Sequence, residues 1–117
     1  MIDLFSDTHT LPSASMRRAM AETEVGDEQM GEDPTTHQLE ETVAAMLDMD
    51  AAMYMPTGSM CNKVAVSALT RPGKALVCDH LAHVYRFEGG GSTVLSGIVF
   101  ELLTTEKGIF SPGNSTP

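Results

Sequence analysis

The chain has 117 residues, 42 % of them apolar and 20 % charged, a length and balance that suit one compact globular domain and exclude a disordered or fibrous chain. Sixteen acidic residues against seven Lys and Arg give a net charge of −9, which repels phosphate backbones and anionic bilayers and argues against nucleic-acid and membrane partners. No apolar run approaches the roughly 18 residues of a bilayer span, Met1 to Thr10 lacks a basic, apolar leader, and Cys61 and Cys78 form no paired motif, so a reducing cytoplasm is the expected location.

Met1 to Thr10 is short and mixed. A first helix is expected after Leu11-Pro12, capped by Ser13 or Ser15, with Met16, Ala19 and Met20 on one buried face. Gly26 closes that segment. Gly31-Glu32-Asp33-Pro34 reads as a loop feeding a second helix, with Asp33 as cap and Pro34 in the first turn. Leu39, Val43, Met46 and Leu47 form its apolar stripe. Ala51 to Met55 is a short apolar run that suggests a buried strand. Pro56-Thr57-Gly58-Ser59 turns the chain into a third helix over Met60 to Leu69, Arg71-Pro72-Gly73 stops it, and Ala75 to Cys78 reads as a strand. Strand, helix and strand in that order predict a βαβ unit and a parallel sheet. Gly89-Gly90-Gly91 is expected to be a loop or close-packed turn, Val94 to Leu95 and Val99 to Leu103 are strand candidates, and Glu106-Lys107-Gly108 is a turn. The tail from Ser111 to Pro117 is expected to have nothing to pack against.

Chemistry concentrates in two places. The Thr57-Gly58-Ser59 turn stands where a helix N-terminus exposes unpaired N–H groups and partial positive charge, which suits a phosphate even on an acidic chain. The alternative is an ordinary turn in which Ser59 caps the helix. His83 follows the second expected strand, where α/β folds place ligands, and can stack on a flat ligand or move a proton; equally, it can be a histidine bonded within a loop. His80 and His83 lack a third ligand at metal-site spacing, so no metal is expected. Asp7 and Glu88 could pair as acid and base, but nothing local joins them, and Ser6-Asp7-Thr8 reads equally well as a turn cluster.

Taken together, six blocks carry a resemblance. Asp3-Leu4-Phe5-Ser6-Asp7-Thr8-His9-Thr10-Leu11-Pro12 resembles the DLRSDTVTLP opening of the low-specificity L-threonine aldolases. Val25-Gly26-Asp27 with Met30-Gly31-Glu32-Asp33-Pro34-Thr35 resembles their VGDDVYGEDPT segment. Leu39-Glu40 with Val43 and Ala44 matches the helix that follows, and Pro56-Thr57-Gly58-Ser59-Met60-Cys61-Asn62 is similar to PSGTMAN. Cys78-Asp79, Ala82-His83 and Glu88-Gly89-Gly90 resemble CDxxAHIYxYEGG, and Leu95-Ser96-Gly97 the LSG beyond it. The resemblance reaches about Gly97. It implies an α/β fold, the partial large domain of the pyridoxal phosphate (PLP) enzymes of fold type I, the aspartate-aminotransferase fold, with a mixed, mostly parallel sheet. Residues 1–117 would be the N-terminal part of that domain, with 98–117 a divergent or truncated end.

The resemblance also implies PLP as cofactor and cleavage of L-threonine or L-allo-threonine to glycine and acetaldehyde, by a homo-oligomer with sites between subunits. It assigns the PLP phosphate to Thr57, Gly58 and Ser59, the ring face and catalysis to His83, the orientation of His83 or of a water to Glu88, and the substrate to Ser6 and Phe87. Phe5, His9 and Met30 depart from the family's arginine, valine and tyrosine. Lys63, Lys74 and Lys107 are the only lysines, and none stands in the context of the Schiff-base lysine that such chemistry requires, so this chain alone is expected to be inactive. A β-eliminating lyase is the rival enzyme reading. A non-catalytic piece that binds an intact subunit and a simple phosphate-binding module are the rivals outside catalysis.

Overall fold

A computed structural model describes residues 2–110, which fall into two units, Met1–Tyr54 and Met55–Pro117. In the first unit, helices begin where short polar side chains replace missing helical acceptors. Ser6 accepts from Thr8 N at the start of a 3₁₀ turn, Asp7–His9. Ser13, the first of the two expected caps, accepts from Met16 N and starts α1, Ala14–Glu22. Asp27 starts a second 3₁₀ turn, Glu28–Met30, which ends at Gly31 with φ 68°. Asp33 starts α2, Pro34–Met46, with Pro34 in the first turn as expected. Its two oxygens divide their work: Oδ1 accepts from Thr36 N at 2.7 Å and Oδ2 from Gly26 N at 3.0 Å. The loop and the helix are therefore tied through one carboxylate.

The apolar faces expected in this unit remain largely open. α1 buries no residue, and Met16 and Met20 are more than half exposed. On α2 only Ala44 is buried, while Met46 and Leu47 face outward. Ala51 to Met55 is not a strand. A strand exists only where a neighbour takes its backbone groups, and here Tyr54 N donates instead to the Glu40 carboxylate at 2.7 Å.

The second unit carries the sheet. α3 spans Gly58–Leu69, β1 Ala75–Asp79, α4 His83–Arg86, α5 Gly91–Ser96 and β2 Val99–Leu103. β1 and β2 pair in parallel, from Ala75 opposite Val99 to Asp79 opposite Leu103. The parallel sheet is thus present, but α4 and α5 make its crossover rather than α3, because the expected strand before α3 is absent. Val94 and Leu95 are helical rather than extended. Gly90 and Gly97 bracket α5 with φ of 69° and 63°, left-handed backbone that stops a short helix at low steric cost. α5 inverts the usual pattern: Ser92 and Ser96 are buried while Val94 and Leu95 face outward. Ile98, 1 % exposed, is the most buried apolar residue of the unit, and Val66 and Cys78 are buried as well. Lys107 and Gly108 form the expected turn after β2, with φ of 58° and 75°. The expected unpacked tail, 111–117, lies outside the described residues.

Candidate active site

The site is built on α3 and α4 of the second unit. Thr57 is extended at φ −143° and its side chain accepts from Met60 N, so Thr57, not Ser59, caps α3. Ser59 stands free of that duty in the first turn. There the amides of Gly58 and Ser59 have no intrahelical acceptor, and they carry the positive end of a twelve-residue helix. A Cβ built on Gly58 would meet nothing within 4 Å. The backbone at this turn is open to an approaching anion.

His83 opens α4, just past the carboxyl end of β1. Its side chain is 65 % exposed, yet Nδ1 lies 3.1 Å from Oε1 of Glu88, whose side chain is fully buried. The same Oε1 accepts from Asn62 Nδ2 at 2.6 Å. Glu88 Oε2 has no hydrogen-bond partner among the described residues. Burial pushes the Glu88 carboxyl up, but the hydrogen bonds from Asn62 and His83 and the charges of His83 and Lys63 outweigh it, leaving the group below its ordinary 4.5. At neutral pH it is a carboxylate and can only accept. The proton of neutral His83 is then on Nδ1, and Nε2 is left as a free acceptor.

Phe87 is 68 % exposed, with its ring centroid 5.4 Å from that of His83 at 40°. The guanidinium of Arg86 stands 5.9 Å from the Phe87 ring centre. Lys63 lies across Gly91, filling the space that a Cβ there would take. Ser6 belongs to the first unit, where its hydroxyl is engaged with Asp7, Thr8 Oγ1 and Thr8 N inside its own turn; the turn-cluster reading of this segment describes its geometry. Asp7 belongs to the first unit and Glu88 to the second.

A second polar knot follows β1. Asp79 accepts from Leu81 N at 2.7 Å through Oδ1, and from Thr105 N and Oγ1 at 3.0 and 2.7 Å through Oδ2. The Thr105 hydroxyl foremost, then the Leu81 amide, holds this carboxyl below its ordinary 3.8 against burial. Burial, followed by the Asp79 charge, pushes the neighbouring Cys78 thiol up, away from thiolate chemistry. A cavity of about 430 Å³ opens here, lined by Val77, Leu81, Phe110 and Lys107 among others. None of the candidate residues lines it. With every Asp79 oxygen engaged, the knot joins β1 to the turn after β2 and presents no free acceptor.

The structure therefore brings His83 and Glu88 into contact, sets Phe87 beside them, and links them to α3 through Asn62. The sequence reading missed Asn62 as a contributor. Its signals are its place at the end of the block similar to PSGTMAN and its position: it follows Gly58 by one helical turn and so rises from the same stretch of α3 as the anion-facing turn. As a donor set, these residues fit a flat, phosphorylated ring compound such as PLP. Two open amides suit the phosphate, an exposed imidazole suits the ring face, and a buried carboxylate fixes that imidazole from behind. Among the described residues no group of three or more His, Cys, Asp or Glu is placed to hold a metal ion.

The chain is 42 % identical over 98 residues to the low specificity L-threonine aldolase of Escherichia coli K12, covering 84 % of this chain and 29 % of that protein. It is 41 % identical over 95 residues to the low specificity L-threonine aldolase of Saccharomyces cerevisiae, covering 80 % and 24 %. With low-specificity L-threonine aldolase 1 of Arabidopsis thaliana it shares 37 % over 98 residues, covering 83 % and 27 %. The chain thus spans less than a third of the length of these relatives. The family model described as beta-eliminating lyase matches residues 3–115, and on that match across nearly the whole sequence the chain belongs to the beta-eliminating lyase family.

Proposed function

We propose that this chain supplies the phosphate turn and the His83 face of a PLP-dependent carbon–carbon lyase that cleaves L-threonine or L-allo-threonine to glycine and acetaldehyde. The observation that carries the reading is the exposed His83 imidazole held at Nδ1 by the buried, ionised Glu88. Such an arrangement leaves Nε2 turned outward as a base for a hydroxyl proton. When bound, PLP supplies the electron sink for breaking the Cα–Cβ bond. The amides of Gly58 and Ser59, with the hydroxyls of Ser59 and Thr57, hold its phosphate at the α3 N-terminus. His83 covers the ring and receives the substrate hydroxyl proton at Nε2. Glu88 keeps the imidazole in that tautomer, and Phe87 excludes water on the substrate side. The family resemblance assigns the substrate carboxylate to Ser6.

In this reading, residues 1–117 belong to the large domain of the PLP fold type I, and the α/β character with a parallel β1–β2 pair supports it. The family resemblance supports a homo-oligomer with shared sites, and the free cysteines are compatible with a cytoplasmic setting. None of Lys63, Lys74 and Lys107 is assigned the Schiff-base role, so the chain alone is inactive. The test is equilibrium binding of PLP with inorganic phosphate as competitor, followed by borohydride and intact-mass analysis. Phosphate-competed binding that weakens in His83→Ala, with no single-lysine adduct, supports the proposal. Binding indifferent to phosphate and to His83 sinks it. A single adduct on one lysine refutes the inactive-alone part; glycine and acetaldehyde from threonine, against pyruvate and ammonia from serine, would then separate an aldolase from a β-eliminating lyase.

A further inference from the structure

We propose that Asn62 is the positioning residue of this site: by donating to Glu88 Oε1 it sets the carboxylate that in turn fixes the His83 ring. Calling the cluster a site rests on the lyase reading, but the clamp stands on geometry alone. Three residues from two helices and the loop after them meet at one oxygen. Asn62 Nδ2 approaches Oε1 at 2.6 Å and His83 Nδ1 at 3.1 Å, so the carboxamide makes the shorter contact. Glu88 is fully buried and its second oxygen has no partner among the described residues. All of the hydrogen bonding that offsets its desolvation therefore passes through these two donors. Of the two, His83 is largely exposed and attached to a four-residue helix, whereas Asn62 sits within a twelve-residue one. The partner on the longer helix orients the carboxylate, and the carboxylate orients the exposed ring.

Which way the amide faces follows from chemistry. An ionised carboxylate offers no proton, so the Asn62 nitrogen, not its oxygen, must face Glu88. The other charged groups reaching Glu88 are His83 itself and Lys63, the latter next to Asn62 on α3. Arg86 lies over Phe87 and is not among the groups that act on Glu88. Removing the Asn62 donor while keeping its volume leaves a buried carboxylate with one hydrogen bond. Its affinity for a proton must rise, and the carboxylate, no longer held by the carboxamide, orients the His83 ring less firmly.

The experiment is NMR on the whole 117-residue chain without PLP, following the Glu88 carboxyl carbon and the His83 ring nitrogens from acid to neutral pH. In Asn62→Leu the Glu88 midpoint is expected to rise by about one pH unit, a roughly tenfold gain in proton affinity, as follows from losing one hydrogen bond to a charged group. Neutral His83 is expected to hold its Nδ1–H form less firmly, because the carboxylate that accepts it is no longer fixed by Asn62. Cys61→Ala, the adjacent exposed position on α3, should change neither signal. An Asn62→Leu variant that keeps its circular dichroism but leaves both signals unmoved overturns the clamp. Should that variant fail to fold, the unsubstituted chain decides: the Asn62 side-chain amide protons must titrate with the Glu88 midpoint, and an amide insensitive to it overturns the proposal. Since no cofactor is present, failure of PLP binding and failure of the clamp are read separately.

Discussion

Gly58→Ala separates the two roles that the α3 turn is asked to fill. Gly58 is the first residue of the helix, its backbone is not left-handed, and an added methyl meets nothing within 4 Å. The substitution therefore removes unfolded-state freedom without a native clash, and such changes stabilise by about 0.4–1 kcal/mol. For a cooperative unit the size of Met55–Pro117, that corresponds to a rise in melting temperature of about 2–8 °C. The same methyl occupies the space through which a phosphate would approach the Gly58 and Ser59 amides. Loss of one charge-assisted hydrogen bond, about 1.5–3 kcal/mol, weakens PLP binding roughly ten- to a hundredfold. Thermal unfolding by circular dichroism and a PLP titration competed by inorganic phosphate measure both effects on the same protein. A variant that melts lower than its parent, or that binds PLP equally well, refutes the reasoning.

Ile98→Ala should destabilise the second unit by about 2–5 kcal/mol, because Ile98 is its most buried apolar side chain and truncation leaves a cavity; Leu69→Ala, at an 85 % exposed position, should stay within about 0.5 kcal/mol. Urea midpoints of the two variants give the comparison, and equal midpoints would contradict the packing described. Gly26→Ala should cost about 1–3 kcal/mol, since its Cβ would overlap the Glu32 carbonyl and drive the Gly26 amide off Asp33; an unchanged melt of the first unit argues against that clamp. Stability should also fall on the acid side. The Glu88 carboxyl lies below 4.5 when folded, so its contribution is complete above that value and is lost as pH falls through the lowered folded one. Subtracting the acid unfolding profile of Glu88→Gln should isolate this loss, and identical profiles would show that Glu88 gains nothing from Asn62 and His83.

Features that depend on a few neighbouring residues were legible in the sequence. Asp33 before Pro34 starts α2, the Thr57-Gly58-Ser59 turn starts α3, and Ala75 to Cys78 and Val99 to Leu103 are strands, because a cap, a turn or a β-rich run acts over one or two turns of chain. The sequence also singled out His83, by its place after the second expected strand as well as by family resemblance, but no local rule joined it to Glu88. What only the tertiary structure decided is whatever needs a partner distant in sequence. Ala51 to Met55 has the composition of a strand yet gains no pairing neighbour, and Tyr54 N turns to Glu40 instead. Val94 and Leu95 look apolar enough for a strand but face outward from α5, while Ser92 and Ser96 go inside. Asn62 and Glu88 stand 26 positions apart, and their contact, which keeps a buried carboxylate ionised, arises from α3 packing beside α5. Hydrogen-bond demand and burial are set by what surrounds a group in space, and periodicity along the chain carries no record of that.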